Sequence, residues 1–179
     1  MEKESAVDNL YSEARNVLDI LHDIPEVSLE VSASNHFRKA LLMAAASYFE
    51  HRVSQHVMEY ISEFSEGTPM IVNFVKNKAV SRQYHTWFAW KENNANQFFS
   101  LFGDQFKEYM NKKIQNSDDL KASIQGFMEI GRLRNSLVHQ DYATYLMDKT
   151  LDEIYTLYKS ALKFVENLPD CFRQRQAIS

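Results

Sequence analysis

Apolar residues return every three or four positions along almost the whole chain, which is the period of a helix with one buried face. Val7, Leu10, Tyr11, Ala14, Val17, Leu18 and Leu21 form the first such stripe. Pro25 should close it, because the residue before a proline is pushed out of the helical region. A longer pattern opens near Ser34 or Asn35, whose side chains suit an N-cap, and reaches about Phe64, where Gly67, Thr68 and Pro69 interrupt it. Its stripe passes through Ala46, Phe49, Val53, Val57, Tyr60, Ile61 and Phe64, with Glu50 set among them. The run Met70-Ile71-Val72-Asn73-Phe74-Val75 is short and β-branched, compatible with a strand or a helical turn, and is assigned a short helix.

Between Asn93 and Met110 the spacing predicts two short helices hinged near Gly103, with Phe98, Phe99, Leu101, Phe102, Phe106 and Tyr109 as packing residues. Ser117-Asp118-Asp119 starts a further helix, its acids suited to a first turn. That helix carries Leu120, Ile124, Phe127, Ile130, Leu133 and Leu137 and ends just past His139. Thr150-Leu151-Asp152-Glu153 matches a capping box and announces the last long helix, which should stop before Pro169. The expected fold is all-α: a helical bundle in which the helix ending at His139 packs against both long partners.

Composition narrows the class without naming a chemistry. A chain of 179 residues with 4 glycines and 3 prolines and no Gly/Pro/Ser-rich linker reads as one helical domain. No apolar run approaches the length of a membrane span, and the charged start Met1-Glu2-Lys3-Glu4-Ser5 has no apolar stretch behind it, so neither a membrane segment nor a signal peptide is expected. The lone Cys171 cannot form an internal disulfide, which points to the reducing cytoplasm. A net charge of -4 disfavours broad, non-specific nucleic-acid binding and leaves any RNA contact to a local basic patch.

Chemistry concentrates in Gly131-Arg132-Leu133-Arg134-Asn135-Ser136-Leu137-Val138-His139, where polar groups interrupt an otherwise buried helical pattern. A histidine exchanges protons near neutrality, and an arginine offers a planar, permanently charged fork to phosphate oxygens. At about 100 degrees per residue, Arg132, Asn135 and His139 share one face, whereas Arg134 lies well around the cylinder from His139. A regular helix thus favours Arg132 as partner, while a site shared between two chains could use Arg134. Glu50, a carboxylate on an apolar stripe, needs a partner, and either arginine would serve. The set fits phosphate chemistry, and it also fits a structural ion pair beside a hydrogen-bonded core histidine.

Other chemistries lack their motifs. No histidine pair has the H-x-x-x-H spacing of a helical zinc site, so no metal and no cofactor is expected, and no phosphate-binding glycine loop or G-x-S-x-G elbow occurs. Cys171 has no histidine nearby in sequence, which makes a thiol nucleophile a poor candidate. Lys76, Lys78 and Arg82, followed by Tyr84, His85, Trp87 and Trp90, could guide a single RNA strand or simply form a solvated loop with anchoring aromatics.

Arg134-Asn135-Ser136-Leu137-Val138-His139 has the form R-N-x-x-x-H, and in this it resembles the signature of HEPN domains. Trp87, the segment from Asn96 to Gly103 and the terminal arrangement look like the RiboL-PSP-HEPN subgroup. The resemblance covers residues 30–168 as a HEPN core, with residues 1–25 as an added N-terminal helix and short helices as connections. It implies a metal-independent endoribonuclease, a toxin or anti-phage defence effector acting as a homodimer on RNA, with an antitoxin or defence protein as a further partner. The 2′-hydroxyl would attack the adjacent phosphate in a cleft between subunits. In that reading His139 is the general acid or base, Arg134 stabilises phosphate charge, Asn135 orients the histidine or the phosphate, and Glu50 and Arg132 support them. Some HEPN domains act instead as non-catalytic dimerisation, scaffold or RNA-binding modules, which is the alternative. The tyrosine that accepts a nucleotide in some members would stand at Asp141, with Tyr142 one place later, so tyrosine adenylylation is not implied.

Overall fold

The structure is a computed structural model that describes residues 4–174. Among the described residues the chain forms seven α-helices and no strand: α1 (Ala6–His22), α2 (Val27–Phe64), α3 (Pro69–Val75), α4 (Asn96–Ser100), α5 (Asp104–Gln115), α6 (Asp118–His139) and α7 (Leu151–Gln174). A π-helical turn, Lys76–Val80, and a 3-10 turn, Tyr84–Thr86, lie between α3 and α4. The all-α expectation holds, and so do the short helices on either side of Gly103, whose φ of 93° suits a residue without a Cβ.

Local chemistry sets most boundaries. Ser5 opens α1 with a capping box: its Oγ accepts the Asp8 amide at 3.1 Å, and its own amide donates to the Asp8 carboxylate at 2.8 Å. Thr150 and Glu153 do the same for α7, at 3.2 and 2.7 Å. Ser117 caps α6 through the Leu120 amide at 3.2 Å. Gly103 enters α5 with no side-chain cap at all.

Two expected boundaries are wrong. Helix α2 begins at Val27, seven residues before Ser34, because nothing from Val27 to Ala33 breaks a helix once Pro25 has turned the chain. Asn35 lies inside the helix, and its Oδ1 accepts from Arg38 at 2.8 Å. Helix α7 continues through Pro169 to Gln174. The missing backbone donor is outweighed by what lies beyond it: Phe172 is buried against Tyr60, Phe102 and Phe106, with ring centroids 4.9, 4.8 and 5.4 Å away.

Helices α6 and α7 run antiparallel. Buried Ser123 accepts the Phe164 amide at 2.6 Å, and Gly126 lies against the Leu157 carbonyl, where a larger residue would keep the helices apart. Helix α2 runs parallel to α7, joined by Arg52–Glu166 at 2.6 Å. Tyr158, Phe49, Phe127 and Phe164 meet at the centre, with successive centroids 5.2–5.6 Å apart. Phe98, Phe99 and Phe106 are buried as packing residues, whereas Leu101 is exposed. Helix α1 covers α2 and α7 through Val7 and Ala14, and Tyr11 stacks on Tyr155 at 3.8 Å. Helix α3 has no buried residue, and Met70, Ile71 and Phe74 are exposed on it.

Replacing Pro169 by Ala should raise stability by about 1–3 kcal/mol, since it restores a donor to a helix that already continues. Chemical denaturation measures this, and a loss of stability would mean that the proline fixes a bend the packing needs. A second expectation concerns Asp8, which accepts from Ser5, from Tyr155 at 2.8 Å and from Lys159 at 3.3 Å. Burial works to raise its pKa, but the Ser5 and Tyr155 bonds and Lys159 outweigh it, and the carboxyl is lowered to about 2 from 3.8. The folded value lies below the unfolded one, so this stabilisation is full above the unfolded value and is lost as pH falls toward the folded one. Asp8→Asn should therefore be less stable than wild type at neutral pH, with the gap closing between pH 3.8 and about 2 in an acid-unfolding series.

Candidate active site

Helix α6 remains regular to its last residue. His139 ends it, the Gln140 amide donates to the Ser136 carbonyl at 3.1 Å, and Gln140 then leaves the helix with φ -103° and ψ 168°. His139 and its neighbour Val138 are exposed. The loop that follows is tied down from α2. The buried Lys39 donates to the Tyr142 carbonyl at 2.6 Å and lies 4.8 Å from the Tyr142 ring, while Arg38 donates to the Met147 carbonyl at 3.3 Å.

The two arginines have separate surroundings. Arg132 grips Glu129 with two parallel bonds, Nε at 2.7 Å and Nη2 at 2.8 Å, and Lys149 stands 3.8 Å from the same carboxylate. The Arg132 hydrogen bonds hold the Glu129 carboxyl below its ordinary range and raise the guanidinium above its own. Arg134 instead lines a narrow recess between α2, α6 and the 84–90 segment. Its Nη1 donates to the Asn135 Oδ1 at 3.2 Å, and its Nη2 lies 3.4 Å from the His85 Nε2.

Glu50 of α2 lines the same recess, half-buried, and its carboxylate lies 3.9 Å from the His85 Nε2 rather than against an arginine. Tyr84 forms part of the wall, and its phenol is pushed well above its ordinary value by burial and next by the Glu50 carboxylate, against the opposing pull of Arg134. Trp90 completes the wall. Its indole donates to the His85 carbonyl at 2.9 Å, and its ring lies on α6 where Gly131 leaves room, since a Cβ there would overlap the ring.

The structure thus brings Arg134, Asn135 and Glu50 together at one recess and leaves Arg132 outside it, with Glu129. His139 is not part of the recess wall. In a regular helix it is displaced from Arg134 by about 140 degrees around the axis and about 7.5 Å along it. Lys76, Lys78 and Arg82 are exposed on the turns after α3, outside the recess. His85, grouped with them in sequence, is the residue sequence reasoning placed elsewhere. One sequence signal for this crossing is Gly131, since a glycine inside a helix marks a place where another group can approach the backbone closely.

Among the described residues no group of three or more His, Cys, Asp or Glu side chains is placed to hold a metal, and no helix is long and apolar enough to cross a membrane. The site lies on an all-helical bundle that carries R-N-x-x-x-H on its penultimate helix. A family model, RiboL-PSP-HEPN, matches residues 8–174, and the chain belongs to that family. Neither a curated protein nor a solved structure matches it.

Gly131→Ala should displace Trp90 and with it the 84–90 segment, at a cost of about 1–3 kcal/mol from overpacking. Denaturation and the near-ultraviolet circular dichroism of tryptophan together check this. A variant with native stability and an unchanged tryptophan signal would mean that Trp90 does not rest on Gly131.

Proposed function

We propose that this chain is a metal-independent endoribonuclease of the HEPN type, a toxin or anti-phage defence effector whose site is formed between two copies. The observation that carries this reading is the division along α6: Arg134 is held in a recess by Asn135 and His85, while His139 stands exposed at the end of the helix. A guanidinium placed this way offers free N–H groups to a phosphate. An exposed histidine is free to meet a substrate laid across two subunits.

In the reaction the ribose 2′-oxygen forms a bond to the adjacent phosphorus and the bond to the 5′-oxygen breaks. His139 takes the 2′ proton or supplies one to the departing 5′-oxygen, with its counterpart on the second copy available for the other transfer. Arg134 stabilises the charge gathering on the non-bridging oxygens, and Asn135 fixes the guanidinium. The products are a 2′,3′-cyclic phosphate and a 5′-hydroxyl. RNA is the substrate, the cytoplasm the compartment, and an antitoxin or activating defence protein the regulatory partner. Lys76, Lys78 and Arg82 form an exposed basic group available to RNA beyond the site.

The purified chain should cleave single-stranded RNA in EDTA and leave cyclic phosphate ends. His139→Ala should lower the rate by about 10²- to 10⁴-fold, and Arg134→Ala by about 10²- to 10³-fold. Arg132→Ala should retain activity, because Arg132 is engaged by Glu129 away from the recess. Light scattering at assay concentration should give a dimer. Intact RNA with a folded wild type would reject the nuclease and leave a non-catalytic HEPN module. Activity in a strictly monomeric protein would reject the shared site.

A further inference from the structure

We propose that His85 is a positioning residue for Arg134, holding the guanidinium in the recess as a neutral hydrogen-bond acceptor and releasing it when the ring is protonated. This rests on the reading of Arg134 as the phosphate-binding group. The contact is between Arg134 Nη2 and His85 Nε2 at 3.4 Å. An arginine has five N–H donors and no acceptor, so the bond requires a lone pair on Nε2 and the ring proton on Nδ1. The Glu50 carboxylate is 3.9 Å from the same nitrogen. A carboxylate cannot donate to a neutral Nε2, but it attracts an imidazolium. The recess therefore offers one ring nitrogen two partners, one for each protonation state.

Protonation removes the lone pair, sets two positive groups side by side and gives the ring to Glu50. Arg134 then keeps Asn135 as its partner in the recess. The charged groups facing His85 are Glu50 from α2 and Arg134 from α6, and the adjacent Tyr84 phenol is kept neutral by burial. The backbone at His85 is fixed independently of its ring, through the indole of Trp90 donating to its carbonyl at 2.9 Å and through buried Tyr84. With its side chain 43% exposed, the ring can change partner without disturbing the core.

The side chain of glutamine can present an oxygen near the position of Nε2 but does not titrate, so His85→Gln and His85→Ala separate acceptance from protonation. Binding of a labelled single-stranded RNA is measured by anisotropy in a His139→Ala background, which removes turnover, across pH 5–8, the span in which histidine changes charge. His85→Ala should weaken binding about tenfold at the upper end, and His85→Gln by about twofold or less. Wild-type histidine at position 85 should lose affinity toward acid more steeply than His85→Gln.

Nitrogen-15 NMR of the histidine rings, with the His85 signals assigned by their absence in His85→Gln, should show Nε2 unprotonated at the upper pH and perturbed in Arg134→Lys. Equal affinity and equal pH profiles for all three residues at position 85, or a neutral ring protonated on Nε2, would overturn the proposal. Cleavage plays no part in these measurements. A nuclease-dead protein that shows the expected binding and tautomer would sink the enzymatic reading and leave this one standing.

Discussion

The Trp90 indole lies directly on the backbone of α6 at Gly131, and the recess depends on that contact. A helix normally keeps a neighbouring segment at the distance of its side chains. Here one missing Cβ admits a ring, and the ring draws the 84–90 segment against the face that carries Arg134. Its indole N–H then fixes the His85 carbonyl, while Phe88, 4.8 Å from both Trp90 and Phe98, anchors the segment in the aromatic core. Arg134 and Glu50 thus have the 84–90 segment as a common wall, with His85 between them.

Helix α2 gives the arrangement its second fixed side. Its unbroken run from Val27 to Phe64 puts Arg38 and Lys39 about a third of the way along and Glu50 beyond the middle of the same rod. The first two hold carbonyls of the loop after His139, and the third meets His85 in the recess. The exposed end of α6 and the enclosed arginine are thus referenced to a single element. The division between the arginines follows from the same packing. Arg132 is held by Glu129 one turn back, a carboxylate that Lys149 before α7 also approaches, and so stays outside the recess.

Where periodicity and end chemistry agreed, the sequence was a good guide. Thr150 with Glu153 and Ser117 before two aspartates carry their geometry in their own side chains, Gly103 between two short helices carries it in a backbone that tolerates positive φ, and each marks a real boundary. The errors fall where distant packing overrides local preference. Ser34 and Asn35 look like caps, yet nothing before them stops a helix. Pro169 looks like an end, yet Phe172 beyond it has a site to fill. The recess was half legible. Asn135, Arg134 and Glu50 were recognisable as polar groups on apolar faces, but the helical wheel favoured Arg132 because it treats residues as directions on a cylinder and knows nothing of Glu129. His85 was hidden because its segment has no period, and its position is set by an aromatic anchor reaching across the fold.

Trp87 and Trp90 are the 2 tryptophans of the chain, and both belong to this one crossing segment. The first is enclosed, its indole donating to the Ala79 carbonyl at 3.1 Å, and the second forms part of the recess wall. Tryptophan emission excited beyond the tyrosine band therefore comes from a patch four residues long. In optical terms the protein carries its own label at the place where Arg134, His85 and Glu50 meet.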